Sequence, residues 1–333
     1  MSDEVSASGV GSLPGSDVRG ATQSVRELYG EGGVPYLPEL PARGPGADLV
    51  GRTAAQLVGL AVDLQPSGWR LTDGSGRDAS RARSFLREDL DVLAEVYDGY
   101  TGPLKVQLCG PWTLAATLEL PRGGRVAGDP GATRDIVQSL ADTAVELLTS
   151  VQRLVPGASL VQQWDEPALP AVLAGRLPTA SGFGRVPATD PSVVRDGLTH
   201  ITEVVASHVD AQVLHCCAAD VPLPLIRQVS ALEPSLDVAL VRTAQWDGLA
   251  ELVESGRRIW AGIIPTNSTA RHPRDHVEPF IEQWHRVGLE TALFERLVVT
   301  PACGLAGAAP ADAIRIGRLT VDAAHMLRDA VAE

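Results

Sequence analysis

The run Gln212-Val213-Leu214-His215-Cys216-Cys217-Ala218 reads as a short buried strand ending in three side chains able to ligate a metal. Side chains alternate along a strand, so His215 and Cys217 share one side and Cys216 takes the other. A further donor, Cys303, stands far downstream in Val298-Val299-Thr300-Pro301-Ala302-Cys303-Gly304-Leu305, an apolar strand closed by a Cys-Gly turn. One His and two Cys leave a position open on Zn²⁺, which is the arrangement of a catalytic site rather than a closed structural one. The competing reading is that a buried Cys is a small hydrophobe. Two candidate donors two residues apart at a strand end favour zinc.

Other polar residues stand at the ends of apolar runs. Leu160-Val161-Gln162-Gln163-Trp164-Asp165 is followed by Glu166-Pro167, and acids there are costly unless solvated or used. Capping is the plain alternative for Asp165. Gly9-Val10-Gly11-Ser12-Leu13-Pro14-Gly15 lets backbone N–H groups approach a ligand near Gly11, with the Ser12 hydroxyl beside them. Gln65, Arg242 and Asn267 close further runs, and Trp69 and Trp112 lie just beyond two more, where they pack a rim or wall a planar molecule. Cys109 has no donor nearby in sequence and reads as packing.

Positioning these residues together requires a shared face. Short apolar runs alternate with helical patterns, the mark of a parallel sheet. The runs are residues 6–12, 57–65, 104–109, 159–165, 212–217, 236–242, 259–265 and 297–301, the number a closed (β/α)₈ TIM barrel needs. In such a barrel all the polar strand ends converge at one mouth. Amphipathic patterns predict helices over 17–29 and 79–97, a long one entered at Thr133, and one at the C-terminus. Pro35-Tyr36-Leu37-Pro38-Glu39-Leu40-Pro41 reads as an ordered rim loop, because its prolines remove donors and fix φ. Pro178–Gly184, rich in small residues, suits a lid. No repeat or charge block divides residues 1–333, which predicts a single catalytic domain.

Bulk properties narrow the partners. A net charge of −13 argues against nucleic acid and anionic membrane surfaces. No apolar run is long enough for a membrane span, and Met1-Ser2-Asp3-Glu4 does not open like a signal peptide. Four cysteines, two of them adjacent, predict free thiols in a reducing cytoplasm.

The motifs resemble a known family. Gly-Ser-x-Pro (Gly11, Ser12, Pro14), Gly-Pro-x-Thr (Gly110, Pro111, Thr113), Asp-Glu-Pro-Ala-Leu from Asp165, His-x-Cys (His215, Cys217) and Pro-x-Cys-Gly-Leu (Pro301, Cys303) occur in this order. Together they resemble the catalytic barrel of cobalamin-independent methionine synthase, in its short single-barrel form. The resemblance implies transfer of a methyl group to the thiol of homocysteine. It implies Zn²⁺ on His215, Cys217 and Cys303, making that thiol a thiolate at neutral pH. It assigns the substrate amine to Asp165 and its carboxylate to Gly11 and Ser12.

Four positions depart from the family pattern. Arg242 matches the family's zinc glutamate, Gln65 an acidic substrate contact, Asn267 a proton-donating histidine, and Thr117 a tryptophan that faces the folate. These departures predict a donor other than methyl-folate, such as a methyl-corrinoid on a carrier protein, with Trp112 lining its site. Two other readings stay open: a metal-free lyase or decarboxylase gripping carboxylates through Arg242 and Arg185, and a lapsed barrel that binds a small carboxylate.

Overall fold

A computed structural model of the protein describes residues 4–179 and 182–332. Its strands are β1 (Ser6–Ala7), β2 (Ala61–Gln65), β3 (Gly68–Thr72), β4 (Gly102–Cys109), β5 (Ala158–Asp165), β6 (Ala211–Cys216), β7 (Leu232–Asp237), β8 (Ile259–Ile264) and β9 (Leu297–Pro301). Seven of them form one parallel sheet in the order β1-β9-β8-β7-β6-β5-β4. Its helices are α1 (Val18–Tyr29), α2 (Leu49–Ala54), α3 (Arg77–Val96), α4 (Pro111–Thr117), α5 (Pro130–Leu154), α6 (Leu169–Leu173), α7 (Pro191–Val205), α8 (Leu223–Gln228), α9 (Thr243–Glu254), α10 (Arg274–Arg286) and α11 (Pro310–Ala332). Helices alternate with parallel strands, so the architecture is a TIM-barrel-like α/β fold.

The strands are buried on both faces and therefore read as nearly continuous apolar runs. Their outer residues, among them Leu108, Trp164, Leu214, Cys216 and Leu236, belong to the large core shared with the helices. A small inner cluster of Val34, Val161, Val213, Trp260 and Val298 plugs the barrel. Further along the same strands the buried residues turn polar, with Lys105, Gln107, Gln163, Asp165, His215 and Ser235. Asp165 pairs with His215, and His215 with Ser235, in the sheet register.

The barrel is closed by residues 34–39, not by the expected strand over 57–65. Between β1 and β4, Val34 N–H donates to Ala7 O (2.8 Å), Leu37 N–H to Lys105 O (3.0 Å) and Glu39 N–H to Gly11 O (3.1 Å). In return Lys105 N–H donates to Pro35 O (2.8 Å) and Leu13 N–H to Glu39 O (2.9 Å). Pro35 and Pro38 fall where no donor is used, so their missing N–H groups cost nothing to the ladder. The segment expected to be a rim loop is thus the eighth stave. The stretch 57–65 ends instead in β2, which pairs with β3 as an antiparallel hairpin outside the main sheet. A two-residue turn, Pro66-Ser67, joins them, and Gly68 beyond it has φ of 129°.

The sixth apolar run is also displaced. The strand stops at Asp237, whose carboxylate accepts from Ala239 N–H (2.9 Å) and caps a 3-10 turn over Val238–Leu240. The apolar residues 238–241 belong to that turn and its exit, so Arg242 does not end a strand. Regular pairing of the first strand is confined to Ser6–Ala7, although Ser12 still bridges Glu39. The long helix α5 is capped by Asp129, which accepts from Gly131 and Ala132 N–H, while Thr133 bonds Val126 O. The expected lid runs through Ala180 and Ser181, which lie outside the described residues. Among the described residues no helix is long and apolar enough to cross a membrane.

Candidate active site at the barrel mouth

His215 lies in β6 one residue before its end, Cys217 follows β6, and Cys303 follows β9. Their donor atoms all lie within 4.8 Å of one another. Ser235 Oγ holds His215 Nδ1 at 2.9 Å, which fixes the ring, while the buried Nε2 has no protein partner. The two sulfurs are 2.9 Å apart. Hydrogen bonding from Cys217 pulls the Cys303 thiol down to about 4, and His215 and the Gly304 N–H act the same way against burial. The same contact, with burial, pushes Cys217 up. Two converging sulfurs and an unsatisfied imidazole nitrogen fit a soft divalent cation, and a ring oriented through its other nitrogen is the usual support for a metal-bound histidine. Cys216, buried among the outer core residues, is apart from this set.

At the end of β7 stands Asp237, a residue the sequence pattern does not single out. Burial raises its carboxyl most, the charge of Cys303 raises it further, and His215 opposes both. Asp237 therefore feels both ends of the cluster. Arg242, the residue matched to the family's zinc glutamate, is exposed at the start of α9 and pairs with Asp220 at 2.9 Å.

Asp165 is buried next to the cluster, and Glu39 is buried close enough to Asp165 to repel its charge. Burial raises the Asp165 carboxyl well above its usual range and Glu39 adds to it, while Lys105 and Gln163 oppose. Glu39 is raised by burial and lowered by Arg52, which stands 4.0 Å away and also pairs with Asp89. Gly11 packs so closely on Gln107 that a Cβ there would sit 2.9 Å from Nε2, which donates to Leu37 O (2.7 Å). Ser12 Oγ fills the space where Gly304 would carry a Cβ, 2.1 Å from it, so the glycine turn and the metal-donor turn interlock. Leu305 N–H donates to Ser12 O at 2.8 Å.

Glu166 is the other buried acid after β5, and it is occupied. It accepts from Trp112 N–H (2.8 Å), Thr113 N–H (2.8 Å) and the Thr113 hydroxyl (2.7 Å), capping α4. Even so, burial raises it to about 7. Trp112 is buried at this helix start, and its indole Nε1 has no partner.

Several expected site residues are elsewhere. Gln65 ends hairpin strand β2 and bonds Asp63 at 2.9 Å. Trp69 is buried against Gly51. Asn267 is exposed beyond β8, and Arg185 donates to Arg176 O at 2.6 Å. The two arginines expected to grip a carboxylate thus have other partners. Glu39, Lys105 and Asp237 are additions that the structure makes to the site. Of these, Lys105 leaves a signal in the sequence, since it alternates with Gln107 inside an apolar strand.

Residues 92–326, well over half of the chain, match the family model described as "Cobalamin-independent synthase, Catalytic domain". The chain belongs to that family. Among solved structures, a B12-independent methionine synthase from Shewanella sp. W3-18-1, in complex with selenomethionine, is similar at 15% identity. The match has a TM-score of 0.51 and covers 74% of this chain and 67% of that one. A 3-keto-D-glucoside 4-epimerase from E. coli is more distant, with a TM-score of 0.41, 12% identity and coverage of 74% and 86%. No curated protein matches the chain. At these identities the structural likeness speaks for the fold, and the family rests on the sequence match.

Proposed function

We propose that this member of the family is a zinc-dependent methyltransferase whose acceptor is the thiol of homocysteine. Residues 1–333 act as one catalytic unit in a reducing cytoplasm. The observation that carries the reading is the convergence of His215, Cys217 and Cys303 within 4.8 Å, next to the buried Asp165. Zn²⁺ bound there supplies Lewis acidity, holding an acceptor thiol ionised at neutral pH. His215 and the two cysteines hold the metal, with Asp237 in place to balance its charge. Asp165 and Glu39 bind the acceptor's ammonium group, and the Gly11 backbone with the Ser12 hydroxyl binds its carboxylate. The interlock of Ser12 with Gly304 sets the spacing between carboxylate and sulfur.

The donor is a methyl group on an already activated leaving group, such as a methyl-corrinoid on a carrier protein. Methyl-folate leaves as an amine that must be protonated, and the position of the family's proton donor carries Asn267. Absence of that acid costs about 10²–10⁴-fold. Gln65 does not enter this argument, because its hairpin stands outside the barrel sheet. The test is metal analysis of the purified protein together with methyl transfer to homocysteine from methyl-folate, methylcobalamin and a sulfonium donor. About one zinc per chain and turnover with methylcobalamin above methyl-folate are expected. A metal-free native protein would overturn the zinc assignment, and efficient turnover with methyl-folate alone would overturn the donor.

A further inference from the structure

Lys105 is fully buried in the barrel interior, below the acceptor site. Its ammonium group lies over the rings of Tyr36 (5.2 Å) and Trp260 (5.9 Å). Nζ donates to Val10 O (2.7 Å) and to Gln163 Oε1 (2.5 Å). The other end of the same amide, Gln163 Nε2, donates to Val10 O (2.9 Å) and to Asp165 Oδ1 (2.7 Å). These four bonds form one chain from Lys105 through Gln163 to Asp165, anchored on the carbonyl next to Gly11.

We propose that Lys105 is a positioning residue for the acceptor's amino group: it orients the Gln163 amide so that Asp165 faces an N–H donor and keeps one oxygen for the ammonium. The proposal rests on the reading that Asp165 binds that ammonium. An amide can present either its oxygen or its nitrogen to a neighbour, whereas the Lys105 ammonium can only donate. With Lys105 beneath it, Gln163 must turn its oxygen down and its N–H₂ group up toward Asp165. Without Lys105 the amide oxygen loses its donor, and Gln163 is held only through its N–H₂ group on Val10 O and Asp165 Oδ1, so its grip on Asp165 loosens. Burying an ammonium is expensive, and a methionine of similar length would fill the space more cheaply if packing were its whole role. Burial draws Lys105 down to about 7, while the facing Asp165 and Glu39 oppose the shift.

The experiment compares binding of homocysteine and of 4-sulfanylbutanoate, the same acid without its amine, by calorimetry on the zinc-loaded protein. The variants are Lys105→Met, Gln163→Leu and the pair. Wild type should prefer homocysteine, and Lys105→Met should shrink that preference by about tenfold or more, the scale of one charge-assisted hydrogen bond. Zinc content and affinity for the deaminated acid should stay unchanged. Gln163→Leu should do the same, and the double variant should lose no more. A preserved preference in Lys105→Met would overturn the proposal, as would an equal loss of both acids, which marks a purely structural role. If Lys105→Met does not fold, Gln163→Leu decides by the same two criteria. A wild type that ignores the amino group would instead sink the ammonium role of Asp165, and Lys105 with it, a result distinct from the others.

Discussion

Cys216 and Cys217 are neighbours in the chain and strangers in space. One packs in the outer core between sheet and helices, and the other meets Cys303 at the mouth. Burial alone accounts for most of the Cys216 shift, up to about 12, as expected of an inert packing thiol. Cys217→Ser should therefore abolish zinc retention. Cys216→Ser should keep it, at a stability loss of about 1 kcal/mol for a small polar change in a core. Metal analysis of the two variants side by side checks this, and equal metal loss in both would show that the facing is wrong. The opposite facing of the two thiols is legible in the sequence, because it needs only strand alternation. Asp237 is not, because an apolar run continues past it and hides the end of the strand.

At the scale of elements, the start of α4 depends on one buried acid. Glu166 satisfies three donors of that helix, yet its carboxyl is raised from 4.5 to about 7 by burial. Between those values the native state keeps a proton that the unfolded chain releases. Stability from this group is thus fully present at low pH, falls as pH climbs from 4.5 toward about 7, and is level above. Urea unfolding across that window should show the decline in wild type, by at most about 1.4 kcal/mol per pH unit from this group. In Glu166→Gln the contribution should vanish, so the stability gap between variant and wild type narrows as pH rises. A gap that is constant with pH would mean the acid is charged throughout. Gly110 belongs to the same contact, because a Cβ there would lie 2.5 Å from the Glu166 carboxyl. The sequence motif Gly-Pro-x-Thr thus records a docking surface for Glu166.

For the whole molecule, the deciding feature is how the ring of strands closes. Five backbone bonds and the Tyr36 ring fasten residues 34–39 between β1 and β4. Gly9 makes room for that ring: an added Cβ would come within 2.4 Å of it. Gly9→Ala should cost about 1–3 kcal/mol through overpacking. Hydrogen exchange at Val34, Leu37 and Glu39 should speed up more than at β5 or β6, and unchanged exchange there would refute a seam held by Tyr36. The apolar runs of β4 to β9 make the barrel class readable, since fully buried parallel strands are apolar throughout. The closing segment is hidden for a physical reason. Two prolines and an acid disguise a strand whose donors are needed only at Val34, Leu37 and Glu39, and the hairpin at 61–72 offers a better-looking substitute.

The seam also divides the proposed site between two stretches of chain. The family match begins at residue 92, so β1 and the closing segment lie outside it, while β4 through β9 lie inside. On the proposed roles, the metal donors, Asp165 and Lys105 come from the matched portion, and Gly11, Ser12 and Glu39 from the portion before it. The two portions are not independent, because Ser12 Oγ fills the space beside Gly304 and Leu305 N–H donates to Ser12 O. A change in the first portion would therefore reach the donor turn and the proposed grip on the acceptor at the same time.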